Sequence, residues 1–95
     1  MPVCYILYSK AVDKFYIGAT SETASDRFNK HIQGFYENKY TAMAKDWEIY
    51  LAIECITTKQ AFAIERHIKR MKSRRYIGSL KCYPEMIEKL LNRYS

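Results

Sequence analysis

Two short runs near the start of the chain, Val3 to Tyr8 and Phe15 to Gly18, are rich in aromatic and β-branched residues, and only Ser9 to Lys14 separates them. Runs of this composition read as strands, and a gap this short makes them a β-hairpin. The hairpin constrains everything downstream, because a small sheet cannot bury its apolar face alone and the remaining chain must cover it. It also brings Tyr5 and Tyr16 nearly opposite each other on paired strands. Two phenols side by side suit the floor of a polar site, although tyrosine pairs are also ordinary sheet packing. The distinction depends on whether other polar groups converge on the same place.

Ninety-five residues are enough for one small domain with a modest core, here expected to span residues 1–95. With 48% hydrophobic and 27% charged residues, the composition is that of a globular chain rather than a disordered one. No apolar stretch is long enough to span a membrane. Met1-Pro2-Val3 runs straight into the first strand without the pattern of a signal peptide, so a cytoplasmic location is expected. Cys4, Cys55 and Cys82 are far apart, odd in number and without metal-ligand spacing. They read as reduced thiols, two of them packed in strands as small hydrophobes.

After the hairpin, Thr20 or Ser21 can cap a helix from about Glu22 to Phe35, with Ala24, Phe28, Ile32 and Phe35 as its apolar stripe. Tyr36 to Asp46 is polar and irregular and reads as a loop. Trp47 to Ile53 then alternates, with Trp47, Ile49, Leu51 and Ile53 on one side and Glu48, Tyr50 and Ala52 on the other, as in a half-buried third strand. Thr57 or Thr58 caps a second helix whose core stripe is Ala61, Ile64, Ile68 and Met71. Ser73 caps a short helix over about Arg74 to Leu80, and Pro84 opens a last helix carrying Met86, Ile87, Leu90 and Leu91. The expected architecture is a small α/β (α+β) fold, a three-stranded and largely antiparallel sheet flanked by helices.

The polar residues fall into a pattern on these elements. Arg27 and His31, four apart, share one flank of the first helix's apolar stripe. On the second helix, Glu65 lies about 100° from Ile64, and Lys72 falls within about 20° of Glu65. Glu65 opens a tract dominated by cations. From Arg66 to Lys81 there are seven basic residues (Arg66, Lys69, Arg70, Lys72, Arg74, Arg75, Lys81) and no acidic ones, within a chain of formal net charge +6. Such a cluster can neutralise phosphates and release counterions. It can equally be a solvated helical face. Lys39, in the loop with Tyr36 and Tyr40, is a further candidate for nucleic-acid contact. Glu65 is either an i,i+4 partner of Lys69 or a single carboxylate holding a hydrated divalent cation against a phosphate.

With these residues in order, the chain resembles the GIY-YIG endonuclease family over Val3 to about Leu80. The closer likeness is to its small stand-alone bacterial members, which are similar to the N-terminal nuclease domain of the excision-repair endonuclease. Tyr16-Ile17-Gly18 is the second motif intact, while Val3-Cys4-Tyr5 stands where Gly-Ile-Tyr belongs and keeps only the tyrosine. Arg27 with His31 matches the helix arginine and its partner, and Glu65 matches the metal-binding glutamate. Two departures stand out. Ala19 occupies a position where the family often has lysine, and Tyr76-Ile77-Gly78 occupies a region where many members have asparagine.

The resemblance implies a metal-dependent endonuclease that hydrolyses phosphodiester bonds of DNA, with a place in DNA repair or processing. Tyr5, Tyr16, Arg27, His31 and Glu65 would form the catalytic set, and Glu65 would hold a single Mg²⁺ or Mn²⁺. Arg27 would clamp a phosphate oxygen with its planar fork. His31 and Tyr5 are both candidates for the general base. Lys39, Arg66, Lys69, Arg70, Lys72, Arg74 and Arg75 would contact nucleic acid. The expected partner is DNA, with RNA left open, together with an as yet unidentified protein and no membrane. Two other classes compete. One is a nucleic-acid-binding module with the same fold and little or no catalysis. The other is a protein-interaction domain with an incidental basic face.

Overall fold

The computed structural model describes residues 2–21 and 46–95. The helix expected over residues 22–35 and the loop expected from Tyr36 lie outside them, and so do Arg27, His31 and Lys39. Strands β1 (Val3–Ser9), β2 (Lys14–Thr20) and β3 (Glu48–Glu54) form one antiparallel sheet in the order β2-β1-β3. Three helices follow: α1 (Thr58–Met71), α2 (Arg74–Cys82) and α3 (Pro84–Arg93). The architecture is α+β, as expected. Among the described residues no helix is long and apolar enough to cross a membrane.

The central position of β1 explains its unbroken apolar run, because both of its faces are covered. Cys4 and Ile6 point to the helices and share a core with Ile53, Cys55, Ala61, Ile64, Ile68, Ile77, Leu80 and Leu90. Val3, Tyr5 and Leu7 point the other way and pack with Trp47.

β3 departs from simple alternation. Ile6 pairs with Leu51 but Leu7 pairs with Ile49, so Tyr50 is an extra residue in the strand. The irregularity corrects the expected single face of Trp47, Ile49, Leu51 and Ile53. Trp47 packs on the face of Tyr5, whereas Ile53 and Leu51 join the helical core, and Tyr50 joins it with them. A bulge bends the strand and resets which side chains face each way.

The helix starts follow local chemistry. The Thr57 hydroxyl accepts from the Gln60 N–H at 3.0 Å, and the Ser73 hydroxyl accepts from the Tyr76 N–H at 3.1 Å. Each satisfies an orphan donor of its first turn. α1 ends at Lys72, whose φ of 48° and ψ of 40° are left-handed, and the chain turns there into α2. Met71, expected in the core stripe, therefore sits at the turn and is 46% exposed. Gln60 occupies the buried stripe instead. Its Oε1 accepts from the Ile56 N–H at 2.7 Å, and its amide donates to the Leu91 carbonyl at 2.8 Å.

α3 closes the back of α1. Leu90 enters the core, and the His67 ring meets the Tyr94 hydroxyl at 2.8 Å through Nδ1 and the Tyr76 hydroxyl at 3.2 Å through Nε2. Burial first, then the charges of Arg93 and Arg70, hold His67 below its ordinary pKa. A neutral imidazole can donate to one of these phenols and accept from the other. All three cysteines are free. Cys4 and Cys55 are buried and Cys82 is exposed, with Cys55 just past the end of β3 rather than within it.

Candidate active site

The site is built around the outer edge of β2. Val3 pairs with Thr20, Tyr5 with Gly18 and Leu7 with Tyr16, so Tyr16, Gly18 and Thr20 share a face with Tyr5. Tyr5 and Tyr16 are consequently diagonal neighbours on one face, close to the nearly opposite placement expected from the sequence. What brings them together is Gly18. A Cβ at that position would fall 2.5 Å from the Tyr5 Cζ, so the phenol ring lies directly over the glycine. The missing side chain lets Tyr5 reach across β2, and its hydroxyl joins the row that Tyr16 and Thr20 form on that strand. Tyr5 is enclosed, at 3% exposure, whereas Tyr16 is only half-buried.

Glu65 approaches the same strand from the other face. α1 packs on the helix-facing side of β2 and β1. Glu65 is half-buried, with its side chain 15% exposed, and its Oε2 lies 3.7 Å from the Lys69 Nζ. Lys69 is the link to the tyrosine. A cavity of about 330 Å³ is lined by Phe15, Tyr16, Ile17 and Lys69. It therefore wraps the edge of β2, because Phe15 and Ile17 face the helices and Tyr16 faces away.

Among the described residues, no group of three or more His, Cys, Asp or Glu side chains stands close enough to hold a metal. Among the described residues the candidate donor is one carboxylate, Glu65. A single hard oxygen donor, half-buried beside the cavity-lining Lys69, fits a hydrated divalent cation that takes its other ligands from water and phosphate. It does not fit a closed, all-protein metal cage. The long ion pair to Lys69, whose side chain is 54% exposed, leaves the carboxylate available to a stronger cation.

A second cavity of about 290 Å³ adjoins the first along β2, sharing Phe15, Ile17 and Lys69 with it. Its walls are Ile68 and Ile77, and its rim carries Lys14, Lys69, Lys72 and Arg74. Here the predicted basic tract divides. Lys69, Lys72 and Arg74 line this groove, whereas Arg66, Arg70 and Arg75 are exposed and line neither cavity. Lys14 was not singled out in the sequence. Its position just ahead of Phe15-Tyr16 was the available signal.

Arg74 is already engaged. It donates to both Asp13 oxygens, at 2.9 and 2.5 Å, and its guanidinium lies 5.4 Å from the Phe15 ring centre. The Arg74 guanidinium first, and the Tyr8 hydroxyl at 2.6 Å second, hold the Asp13 carboxyl down at about 2. At the other end of the turn, Asp46 accepts from the Ser9 hydroxyl at 2.5 Å and the Ala11 N–H at 2.9 Å. The hairpin turn is thus tied to β3 on one side and to α2 on the other.

A three-stranded antiparallel sheet with two phenols near one edge and a carboxylate-bearing helix beside it is consistent with a GIY-YIG domain. The chain belongs to the GIY-YIG family: the model of the GIY-YIG catalytic domain matches residues 1–79, and that family is made up of nucleases. Comparison with curated proteins and with solved structures returns no match. α3 begins five residues beyond the matched region, at Pro84.

Proposed function

We propose that this chain is a divalent-metal-dependent endonuclease that hydrolyses phosphodiester bonds of DNA in repair or processing. The observation that carries the reading is the convergence at β2: Tyr16 and the Tyr5 phenol on one side of the strand, and the Glu65–Lys69 flank of α1 reaching the same edge from the other.

Glu65 would hold Mg²⁺ or Mn²⁺, which when bound supplies a Lewis acid for a phosphoryl oxygen and a departing alkoxide. The other tasks fall to the chain itself. Tyr16, half-buried and lining the cavity, touches the phosphate or the attacking water through its hydroxyl. Tyr5, enclosed over Gly18, keeps the face of β2 polar beside it and fixes where the Tyr16 ring can lie. Lys69 offers positive charge to the phosphate once Glu65 is otherwise engaged. Arg27 and His31 would take the roles that the family resemblance implies, phosphate clamp and proton acceptor, with Tyr5 the other candidate for the acceptor.

Labelled single-stranded, nicked, flap and duplex DNA, with matched RNA, incubated with Mg²⁺ or Mn²⁺ beside Glu65→Gln tests the proposal. Cleavage by the wild type that EDTA and Glu65→Gln both remove is the expected result. The lone carboxylate and its Lys69 ion pair favour a second reading, a binding module without catalysis. Salt-sensitive binding with no cleavage under any condition would select it.

A further inference from the structure

The groove beside β2 is the part of the molecule that this assignment leaves without a task. It runs from Tyr16, past Lys69, to the junction of α1 and α2, and it is continuous because the two cavities share Phe15, Ile17 and Lys69. Four cations stand on its rim, and Asp13 is the one acidic residue among those lining it. Asp13 is neutralised in place by the two bonds from Arg74. Neither Lys14 nor Lys72 has an ion-pair partner among the described residues. Lys72 is moreover held in a left-handed conformation at the end of α1, which fixes its backbone at the groove's mouth although lysine gains nothing intrinsic there. Two lysines without an ion-pair partner among the described residues, on a groove that ends at the candidate catalytic tyrosine, match one kind of ligand, a polyanionic chain longer than a single phosphate.

We infer that this groove is the track along which one nucleic-acid strand leaves the scissile phosphate. Lys14 contacts the backbone from β2, and Lys72 contacts it from the α1–α2 junction. The exposed arginines Arg66 and Arg75 lie off the track and contribute only diffuse attraction. The inference rests on the nucleic-acid substrate proposed above and adds where the strand lies and which residues hold it. The reach follows from the geometry of the fold. β2 rises about 3.3 Å per residue, so the stretch from Tyr16 back to Lys14 and on to α2 spans only a few nucleotides.

The salt dependence of binding separates the track from a general basic surface. Each phosphate contact contributes about 0.7 to the slope of log K against log salt for single strands, and about 0.9 for a duplex. Binding is read by fluorescence anisotropy with a labelled 20-mer, as a single strand and as a duplex, in EDTA so that nothing is cut. Lys14→Gln with Lys72→Asn is expected to lower the single-strand slope by about 1.4, two contacts' worth. Asparagine is chosen because it tolerates the left-handed backbone at that position. Arg66→Gln with Arg75→Gln is expected to leave the slope unchanged. Asp13→Asn, which removes the acid from the rim, is expected to tighten binding.

Equal slope losses from both pairs, or a loss only from the Arg66 and Arg75 pair, would overturn the track while leaving the nuclease proposal intact. A wild type with no salt-dependent binding to either oligonucleotide would overturn both. Binding that follows the track pattern without any cleavage would uphold the track and select the non-catalytic module.

Discussion

The two flanks of α1 are built to different rules. On the flank toward α3, Gln60 is 2% exposed with both ends of its amide bonded, and His67 has both ring nitrogens engaged by phenols. On the flank toward β2, Glu65, Lys69 and Lys72 follow one another at i, i+4 and i+7, held by a single 3.7 Å ion pair. Buried polar groups are costly unless satisfied, so the first flank is specific and stiff. Lys69 and Lys72 are exposed and Glu65 is held only by that long pair, so the second can receive an incoming phosphate or cation. The helix is fixed from behind and left chemically open in front, and α3, which lies beyond the matched family region, does the fixing.

Substitutions on the two flanks should therefore fail in opposite ways. Glu65→Gln is expected to give the largest effect on the open flank, with cleavage falling by about a hundredfold to a thousandfold, as loss of several kcal/mol of metal assistance implies. Its thermal midpoint should stay near wild type. A variant that instead unfolds would show that Glu65 belongs to the structural flank. Gln60→Leu is the counterpart. It leaves the Ile56 N–H and the Leu91 carbonyl without partners inside the fold, and denaturant titration should show a loss of about 2–4 kcal/mol. Nucleic-acid binding per folded molecule should be unaltered. A neutral result would mean that water or a small shift of α3 satisfies both groups.

Gly18→Ala probes the seam between the two regimes. The new methyl group would collide with the Tyr5 ring, which is enclosed and clusters with Val3, Leu7 and Trp47. Overpacking of this kind costs about 1–3 kcal/mol. Because the clash lands on a candidate site residue, cleavage should drop further than stability alone explains. Tyr5→Phe in the same background separates the lost hydroxyl from the displaced ring. An unchanged rate in Gly18→Ala would remove Tyr5 from the site.

The same contrast governs what could be read from the chain. The hairpin, the Thr57 and Ser73 caps and the Pro84 start were legible because each depends on a few neighbouring residues. Glu65 and Lys72 were placed on one flank by helical periodicity alone. The bulge at Tyr50 was not legible, since it exists only in the pairing of β3 with β1. The seat that Gly18 makes for Tyr5 was likewise hidden, because it needs the cross-strand register. Lys14 joins Lys72 only through the packing of α1 on β2, so a basic tract counted along the sequence included Arg66 and Arg75 and left Lys14 out. Gln60 was not in the expected core stripe, and its buried seat depends on Leu91, 31 residues away. Arg27, His31 and Lys39 fall outside the described residues; the first two rest on family pattern, and Lys39 on its place in a polar, tyrosine-bearing stretch.

The smallest expected effect concerns the tie between the hairpin turn and α2, and it sharpens the comparison because it is polar yet exposed. Arg74 and Tyr8 hold the folded Asp13 carboxyl at about 2, against an ordinary 3.8. A carboxyl depressed in the folded state adds stability that is fully present above its unfolded pKa. That stability is lost as pH falls through the folded value. The window is therefore from about 4 down to about 2. Solvent screens the pair, so the gain is small even at neutral pH. Thermal midpoints of wild type and Asp13→Asn, taken at several pH values, should differ slightly at pH 7 and converge across that window. A difference that stays constant down to pH 2 would mean that the variant acts through the turn's left-handed backbone at Asp13, where φ is 54°, and not through the charge. Added salt supplies the control: it should shrink a difference that comes from the ion pair and leave a backbone effect untouched.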